Sequence, residues 1–403
     1  MTISSSPTKS CIVAGHICLD LIPTLIGVGD FASTFLPGRL LETGPVVMAT
    51  GGAVSNTGLA LHKLGIETRL MGKIGPDLFG QAILDIIKSQ AEHLAEGMRI
   101  VAGESSSYTI IISPPRTDRI FFHCPGPNDT FAADDVDYEL VKQVDLFHFG
   151  YPPLMKRLYQ EEGAELVKMF RQAKATGVTT SLDMAMPDPT APSGQVEWPA
   201  LLKASLPYVD LFLPSIEEIL FMLYPDMFQT LTVAAGQQGS QFLDQITPSL
   251  AADVADDLLE MGAKIVLLKA NYRGLYLRTA SEMMLANMGR AQPDNVAGWA
   301  NRELWAPIFQ TDPVGTTGAG DSAIAGFLSA LLRDLSPAQA VTIAAAVGAC
   351  NVEAADALGG IRSWAETLAR IEAGWPRQPL EFDAPDWRFD KTQQVWLGPN
   401  DMA

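Results

Sequence analysis

Positive charge is scarce in this chain. It contains 28 lysine and arginine residues against 46 aspartate and glutamate residues, which gives a formal net charge of −18 at pH 7. A chain of this charge is repelled by phosphodiester backbones and anionic lipids, so the composition argues against non-specific binding to nucleic acid or membranes. A bound nucleotide would have to be held locally, by backbone amides, a cation and a few basic groups.

Cysteine and histidine are also rare. The four cysteines and five histidines form no CxxC pair, no HExxH motif and no other spacing typical of a metal site. We therefore expect the cysteines to be small, buried thiols in a reducing compartment rather than members of a disulfide framework. They are Cys11, Cys18, Cys124 and Cys350.

Long apolar runs are missing as well. The apolar stretch at 338–350 is too short and too rich in alanine to span a bilayer. Near the N-terminus, His16 and Asp20 interrupt the stretch that most resembles a signal peptide, and no clear small-x-small cleavage site follows it. These features predict a soluble, cytoplasmic protein.

Two nucleotide-binding signatures are absent. No GxxxxGK[ST] sequence occurs, which argues against a Walker-type ATPase, and Gly15 lacks the companion glycines of the turn found in NAD-dependent dehydrogenases. The chain does have ample apolar material, since 47% of its 403 residues are hydrophobic and 18% are charged. This composition describes a globular protein with one large α/β domain or two ordinary ones.

Short apolar segments alternate with helical patterns along most of the chain. Such alternation predicts βαβ units, and so a doubly wound, mainly parallel sheet with helices on both faces. Ligands of such sheets bind at the carboxyl ends of the strands, where Asp183 and residues 215–218 and 269–274 are placed. Strands are predicted at 10–14, 68–74, 146–149, 178–182, 211–213 and 264–269, and helices at 54–64, 78–88, 161–175, 198–205 and 251–261.

Three stretches fall outside this alternation. Residues 224–248 are rich in glutamine and glycine, residues 280–310 show little periodicity, and the end of the chain is rich in proline, aspartate and tryptophan. Loops of this length are usually functional or disordered. We therefore expect one domain over 10–375, with insertions at about 224–248 and 280–310, and a C-terminal tail at 376–403.

The sequence at 315–321, Gly-Thr-Thr-Gly-Ala-Gly-Asp, runs directly into an apolar helix. Its small residues leave backbone N–H groups uncovered at a helix start, where they lack internal partners and the helix dipole is positive. An aspartate there would repel an anion, unless it removes a proton from a hydroxyl while the amides hold the phosphate under attack. We interpret the segment as a kinase active site; the alternative is a glycine-rich turn with Asp321 as helix N-cap.

A second glycine motif lies near the N-terminus. Gly51 and Gly52 precede a predicted helix that carries Asn56 in its first turn. A glycine pair lets the backbone approach a ligand closely, and an asparagine offers both a donor and an acceptor to hydroxyl groups. In isolation the motif is equally compatible with a plain turn before a helix.

Together with residues 72–80 (Gly-Lys-Ile-Gly-Pro-Asp-Leu-Phe-Gly), the two motifs resemble the ribokinase-like (PfkB) family of carbohydrate kinases. Their order and separation agree, and the resemblance covers about residues 10–370. It implies a ribokinase-like α/β domain with a small β-sheet lid over the sugar. The lid strands would come from about 15–50 and 105–125, and the β-rich segments on either side of residues 114–118 predict a hairpin there.

The resemblance also implies ATP as phosphate donor, Mg²⁺ as cofactor and often a monovalent cation nearby. Asp321 is implied to be the catalytic base, and Glu218 to organise Mg²⁺ through water, in keeping with the preference of Mg²⁺ for oxygen ligands. The anion hole is implied to consist of the amides of Gly318, Ala319 and Gly320. The implied sugar contacts are Asp20, Gly51, Gly52 and Asn56. The implied nucleotide contacts are Lys269, Arg273, Gly274 and Thr317.

Four positions depart from the family pattern. Ser215 replaces the asparagine of the Mg²⁺-linked element, Gly315 replaces an aspartate, and Asn271 replaces a glycine of the nucleotide loop. After Asp183 the expected asparagine and arginine are missing. The base and the anion hole are untouched, but the monovalent-cation site and the nucleotide affinity are in doubt. These departures motivate one alternative: a non-catalytic member that keeps the fold for ligand binding.

No lysine or arginine lies between residues 51 and 56 or beside Asp20, although phosphate is recognised best by such cations. We therefore predict a neutral or singly acidic sugar such as a hexose, ribose or ketodeoxy acid, unless Arg116 or Arg119 of the lid reaches an anionic one. A nucleoside kinase is the alternative, because Tyr108 or the phenylalanines at 121–122 could stack on a base. An apolar edge at 110–112 would allow a homodimer through the lid.

Overall fold

The computed structural model describes residues 9–26, 36–113, 120–236 and 240–401. Within these residues the strands form a ten-stranded sheet, a four-stranded sheet and a two-stranded ribbon. The strands are β1 (Ser10–Gly15), β2 (Cys18–Leu25), β3 (Thr43–Gly51), β4 (Glu67–Met71), β5 (Lys73–Ile74), β6 (Arg99–Ile100), β7 (Tyr108–Ile112), β8 (Ile120–Cys124), β9 (Leu146–Gly150), β10 (Thr179–Asp183), β11 (Leu211–Phe212), β12 (Ile265–Lys269), β13 (Leu275–Thr279), β14 (Glu303–Ala306), β15 (Arg388–Asp390) and β16 (Val395–Leu397).

The helices connect the strands and cover the large sheet. None of those in the described ranges has the length and apolar character that crossing a membrane requires. The helices are α1 (Ala53–Lys63), α2 (Leu78–Gln90), α3 (Tyr138–Val141), α4 (Lys156–Tyr159), α5 (Ala164–Ala175), α6 (Trp198–Ser205), α7 (Ile216–Leu223), α8 (Pro225–Ala235), α9 (Ser240–Asp244), α10 (Pro248–Glu260), α11 (Glu282–Leu285), α12 (Val296–Trp299), α13 (Ala319–Leu331), α14 (Pro337–Asn351) and α15 (Trp364–Glu372).

The large sheet has the order β15-β16-β14-β13-β12-β11-β10-β9-β1-β4. From β4 to β12 the neighbouring strands run parallel, and from β12 to β15 they run antiparallel. The mainly parallel, doubly wound sheet predicted from the sequence is therefore confirmed. Its antiparallel edge was not predicted.

Side-chain alternation along the strands divides the core in two. Cys11 and Val13 of β1 pack into one buried cluster together with α1, α13 and α14. Ile12 and Ala14 point to the opposite face and pack with α5, α6 and α10. Because successive residues of a strand face opposite sides, a strand covered on both faces must be apolar throughout. This explains the apolar runs of β1 and β12, whereas central strand β10 also buries Thr179, Thr180 and Ser181.

The four-stranded sheet has the order β3-β2-β7-β8, and β7 and β8 form the predicted antiparallel hairpin. The turn predicted at 114–118, which contains Arg116, lies outside the described residues. The same is true of Arg119. The apolar edge predicted at 110–112 is wrong, because β7 pairs with β2 through Ile110 and with β8 on its other side. The outer strands of this small sheet are β3 and β8.

Two further features differ from the expectations. The strand predicted at 68–74 is two strands, since the chain leaves the large sheet at Gly72 and β5 pairs with β6. The stretches set apart at 280–310 and 376–403 both supply strands to the large sheet, namely β14, β15 and β16. Trp305 of β14 is fully buried against the rings of Phe382 and Trp387. The tryptophan-rich tail is thus used to cover a sheet edge.

Candidate active site

The predicted anion hole lies at the start of helix α13. Gly318 is its N-cap with φ 73°, and a Cβ there would come within 2.8 Å of the Ala357 side chain, so the position requires glycine. The Ala319 amide donates to the Thr316 carbonyl at 3.3 Å. Within the described residues, the amides of Gly318 and Gly320 donate to no protein acceptor. Two of the three predicted amides are therefore available for hydrogen bonding, at the positive end of the helix dipole.

Asp321 is buried one residue further along, and its carboxylate accepts three hydrogen bonds. Oδ2 accepts from Asn56 Nδ2 at 3.1 Å and from the Tyr151 hydroxyl at 2.7 Å. Oδ1 accepts from Thr57 Oγ1 at 3.1 Å. The carboxylate is therefore not an N-cap, which was the alternative reading of the motif; it is turned towards the first turn of helix α1.

The glycine pair positions helix α1 for this contact. Gly52 has φ 87°, and a Cβ on it would lie 2.5 Å from the His16 carbonyl oxygen, so the chain turns there only with glycine. A Cβ on Gly51 would lie 2.4 Å from Asp20 Oδ2. The structure thus brings the predicted sugar contacts Asp20, Gly51, Gly52 and Asn56 to one place, next to the proposed base.

Asp20 and two histidines line this part of the site. Burial raises the pKa of Asp20 to about 6, although Cys18 and Thr109 donate hydrogen bonds that oppose the rise. His16 Nε2 lies 3.4 Å from His123 Nε2, which is on β8 of the small sheet. Burial, and to a lesser degree His123, lowers the pKa of His16 to about 3. His16 is therefore neutral at physiological pH and adds no positive charge.

Lys269 lies behind the anion hole. Its ammonium donates to Asp183 Oδ1 at 2.5 Å and to the Leu213 carbonyl at 2.6 Å. Burial opposes a charge on Lys269, but nearby carboxylates, Asp183 foremost and then Glu218 and Asp321, outweigh it and raise its pKa. A Cβ on Gly320 would lie 3.5 Å from Lys269 Cε. The predicted nucleotide contact Lys269 is thus a buried cation that packs against the start of α13.

Glu218 and Ser215 form a capping box at the start of helix α7. The Ser215 amide donates to Glu218 Oε2 at 2.8 Å, and the Glu218 amide donates to Ser215 Oγ at 3.3 Å. Serine and asparagine are both favoured as helix N-caps, so Ser215 can cap the helix in place of the family's asparagine. The charge of the Glu218 carboxylate raises the pKa of both Lys269 and Asp183, so this carboxylate lies near the same site.

The nucleotide loop gives a mixed outcome. Asn271 has φ 47°, a conformation that asparagine adopts more readily than most residues, which explains its presence where the family has glycine. Gly274 is required, since a Cβ would lie 2.0 Å from the Ala306 carbonyl oxygen. The guanidinium of Arg273, a predicted nucleotide contact, is buried, and its Nη1 donates to the carbonyls of Leu243 and Asp244, so it anchors helix α9. Thr317 Oγ1 is buried and has no protein partner within the described residues.

Two residues of the site were not predicted. Thr57 follows Asn56 on helix α1, and Tyr151 follows strand β9 directly. The rule that ligands gather at strand carboxyl ends would have pointed to Tyr151. Nothing in the sequence shows that its hydroxyl reaches residue 321.

Comparisons with known proteins find related sequences and structures. The family described as "pfkB family carbohydrate kinase" matches residues 8–226 and 299–362. Probable fructokinase-4 of Arabidopsis thaliana is 24% identical over 334 residues, 82% of this chain and 85% of that protein. Fructokinase-1 of Zea mays is 24% identical over 369 residues, 89% of this chain and 96% of that protein.

Solved structures share the fold. Fructokinase with bound ATP from Xylella fastidiosa has a TM-score of 0.65 at 18% identity, and the match covers 91% of this chain and 99% of that one. Ribokinase from Thermotoga maritima has a TM-score of 0.63 at 19% identity, with 90% and 99% covered. At such identities the likeness extends to the architecture and not to individual side chains.

Proposed function

This chain belongs to the PfkB family of carbohydrate kinases, and we propose that it transfers the γ-phosphate of ATP to a hydroxyl of a neutral sugar with Asp321 as the base. One observation carries the proposal. The hydrogen bond of 3.1 Å between Asn56 Nδ2 and Asp321 Oδ2 joins the predicted sugar motif to the predicted phosphoryl-transfer motif, 265 positions apart. Two separate motifs thus meet at one carboxylate.

In this mechanism the sugar is held by Asp20 and Asn56, and its reacting hydroxyl donates to Asp321. Asp321 takes the proton as the hydroxyl oxygen attacks the γ-phosphorus, the bond from that phosphorus to the β–γ bridging oxygen breaks, and ADP leaves. The amides of Gly318 and Gly320 stabilise the charge on the phosphoryl oxygens, and they are already oriented before the reaction begins. Lys269, held by Asp183, adds a fixed positive charge beside them.

The residues of the site could bind Mg²⁺ through a single carboxylate, that of Glu218. Mg²⁺ keeps several water ligands and binds through one or two carboxylates together with substrate phosphates. Glu218 suits this role, because only Oε2 accepts a hydrogen bond from the described residues. In the same ranges no three His, Cys, Asp or Glu side chains form a metal-binding group. A bound Mg²⁺ would neutralise part of the phosphate charge.

A monovalent-cation site that depends on a carboxylate at residue 315 does not fit this chain. Gly315 has no side-chain oxygen, and its amide donates to the Val352 carbonyl at 3.2 Å. We therefore assign no step to a monovalent cation.

The electrostatics of the sugar site favour an uncharged substrate. His16 is neutral. Lys63, the lysine nearest to Asn56 in sequence, donates to the Leu358 carbonyl at 2.8 Å, and Lys73 is engaged by the Thr130 hydroxyl and by Asp135 at 3.2 Å. Among the described residues, which do not include Arg116 and Arg119, a phosphate or carboxylate on the sugar would therefore meet Asp20 without a compensating cation. Since several relatives are named fructokinases, fructose is the first sugar to test.

Purified protein is tested with ATP and Mg²⁺ against a panel of fructose, glucose, ribose, ketodeoxy acids, sugar phosphates and nucleosides, with ADP release as the readout. A neutral sugar is expected to give the highest kcat/KM. Preference for a nucleoside would support the alternative of a nucleoside kinase. Absence of turnover with every compound would support the non-catalytic alternative and contradict the proposed function.

The raised pKa of Asp20 predicts that sugar binding depends on pH. Below a pKa of about 6 the carboxyl group is protonated and loses its capacity to accept two hydroxyl hydrogen bonds. We expect the KM for the sugar to rise as the pH falls from about 7 to about 5, with kcat less affected. Asp20→Asn should raise KM throughout and flatten this dependence, whereas Asp85→Asn on exposed helix α2 should keep it. A constant KM in the parent protein would contradict a sugar-binding role for Asp20.

We also propose that the protein forms a homodimer through the outer strand β3 of the small sheet. Val46, Val47 and Met48 on this strand are each at least half exposed. A strand edge with apolar side chains is a ready surface for pairing with a second copy. Sedimentation velocity should show a dimer that Val47→Lys converts to monomer. A monomeric parent protein at micromolar concentration would contradict the proposal.

A further inference from the structure

Tyr151 lies between the end of strand β9 and the carboxylate of Asp321. We propose that it is a positioning residue: with Asn56 it occupies Oδ2 of Asp321, so that the sugar hydroxyl is deprotonated by Oδ1. This inference rests on the proposed function, in which Asp321 is the base.

The hydrogen bonds that Asp321 accepts leave one lone-pair position of its carboxylate open to a sugar hydroxyl. An ionised carboxylate has two oxygens with about four lone-pair positions. Asn56 and Tyr151 use the two positions of Oδ2, and Thr57 uses one of Oδ1. The remaining position, on Oδ1, is the one available to an incoming hydroxyl. The donors therefore fix which oxygen accepts the proton.

The backbone at Tyr151 is held in an uncommon conformation. Its φ is 69° and its ψ is 41°, in the left-handed region that bulky residues rarely adopt. Such conformations persist where the surroundings over-determine them, and they cluster at functional sites. Here the Tyr151 amide donates to the Asp183 carbonyl at 3.3 Å, and two prolines follow. The backbone thus directs the phenol into the site.

The phenol stays protonated over the working pH range. Burial, and next the charge of Asp321, raises its pKa well above the usual value. The other charged groups that face Asp321 are Lys269 and Asp183, with Glu218 close to both. A hydrogen bond donated to a carboxylate favours its ionised form, which is the form that acts as a base. Removing the phenol hydroxyl should therefore make the base work only at higher pH.

Tyr151→Phe removes the hydroxyl and keeps the ring. A hydrogen bond to a charged group is worth enough to lower kcat about tenfold, and the KM for the sugar should change little. The acidic limb of the kcat–pH profile should move to higher pH. The matched control is Tyr276→Phe, since the Tyr276 hydroxyl donates to the buried carboxylate of Glu303 at 3.0 Å on strands outside the site. This control should keep the parent kcat and profile.

A second substitution tests the opposite direction without removing the donor. 3-Fluorotyrosine placed at position 151 is a stronger donor, so the acidic limb should move to lower pH. A Tyr151→Phe profile identical to that of the parent would overturn the inference and leave Asp321 as the base. So would equal losses of kcat in Tyr151→Phe and Tyr276→Phe, because the effect would then be structural. Full activity in Asp321→Asn would instead contradict the proposed function itself.

Discussion

Asp321→Asn is expected to lower kcat by about a hundredfold to ten-thousandfold, because a general base contributes that much and an amide cannot take a proton. The substitution keeps the size and shape of the side chain. If the amide oxygen takes the place of Oδ2, it still accepts from Asn56 and Tyr151. The Thr57 hydroxyl can turn and accept from the new amide nitrogen, since a hydroxyl is both donor and acceptor.

The variant should therefore fold like the parent protein, and the substitution should lower kcat without lowering the unfolding midpoint. The measurements are kcat with the best sugar of the panel and the unfolding midpoint in urea. Glu303→Gln is the matched control, because Glu303 is also a buried carboxylate that accepts from a tyrosine hydroxyl and an asparagine amide. It should keep the parent kcat. Asp321→Asn with more than a tenth of the parent kcat, a loss below about 1.4 kcal/mol, would exclude Asp321 as the base.

Lys269→Met is expected to have the second largest effect, on stability as well as on activity. It removes the partner of Asp183, whose side chain is 2% exposed, and leaves the Leu213 carbonyl without its ammonium donor. Breaking a buried ion pair from one side typically costs about 3–5 kcal/mol of unfolding free energy. Urea unfolding measures this loss directly, and kcat should fall as well, because the fixed cation behind the anion hole is lost.

Two controls separate the buried pair from a general effect of lost charge. Lys88→Met breaks an exposed pair with Glu92 and should unfold within error of the parent protein. The double variant Asp183→Asn, Lys269→Met should regain part of the stability, because no uncompensated charge remains. An unchanged unfolding free energy in Lys269→Met would show that the ammonium is not needed to neutralise Asp183.

The fold was largely predictable because the sequence features that indicate its strands and helices lie within short stretches of the chain. Residues 11–14 of β1 and 265–268 of β12 are apolar. Helices α1, α5 and α10 are followed by glycines with positive φ, namely Gly65, Gly177 and Gly262. The antiparallel edge was missed for a different reason. Strand β14 lies in a segment with little periodicity, and its burial depends on Phe382 and Trp387, which are contributed from more than 70 positions away. Such a contact leaves no trace in a short stretch of sequence.

The site was predictable where glycines and family motifs mark it. Two glycine motifs marked Asn56 and Asp321 as candidate site residues, and their hydrogen bond is visible only in the structure. Tyr151 and Thr57 were missed, since what they contact is decided by how β9 and α1 are placed against α13. The contacts of Arg273 with helix α9 were not predictable, because the sequence does not show which segment folds around a charge in a loop.

The end of the chain closes the large sheet. Strand β16 pairs with β14, and β15 covers β16, so the last residues shield the backbone of a strand whose tryptophan is fully buried. During synthesis these residues leave the ribosome after β14. Until then β14 presents an open, apolar border that could pair with another chain. Cleavage after Trp375 should therefore yield a polypeptide that aggregates, although every proposed catalytic residue would still be present.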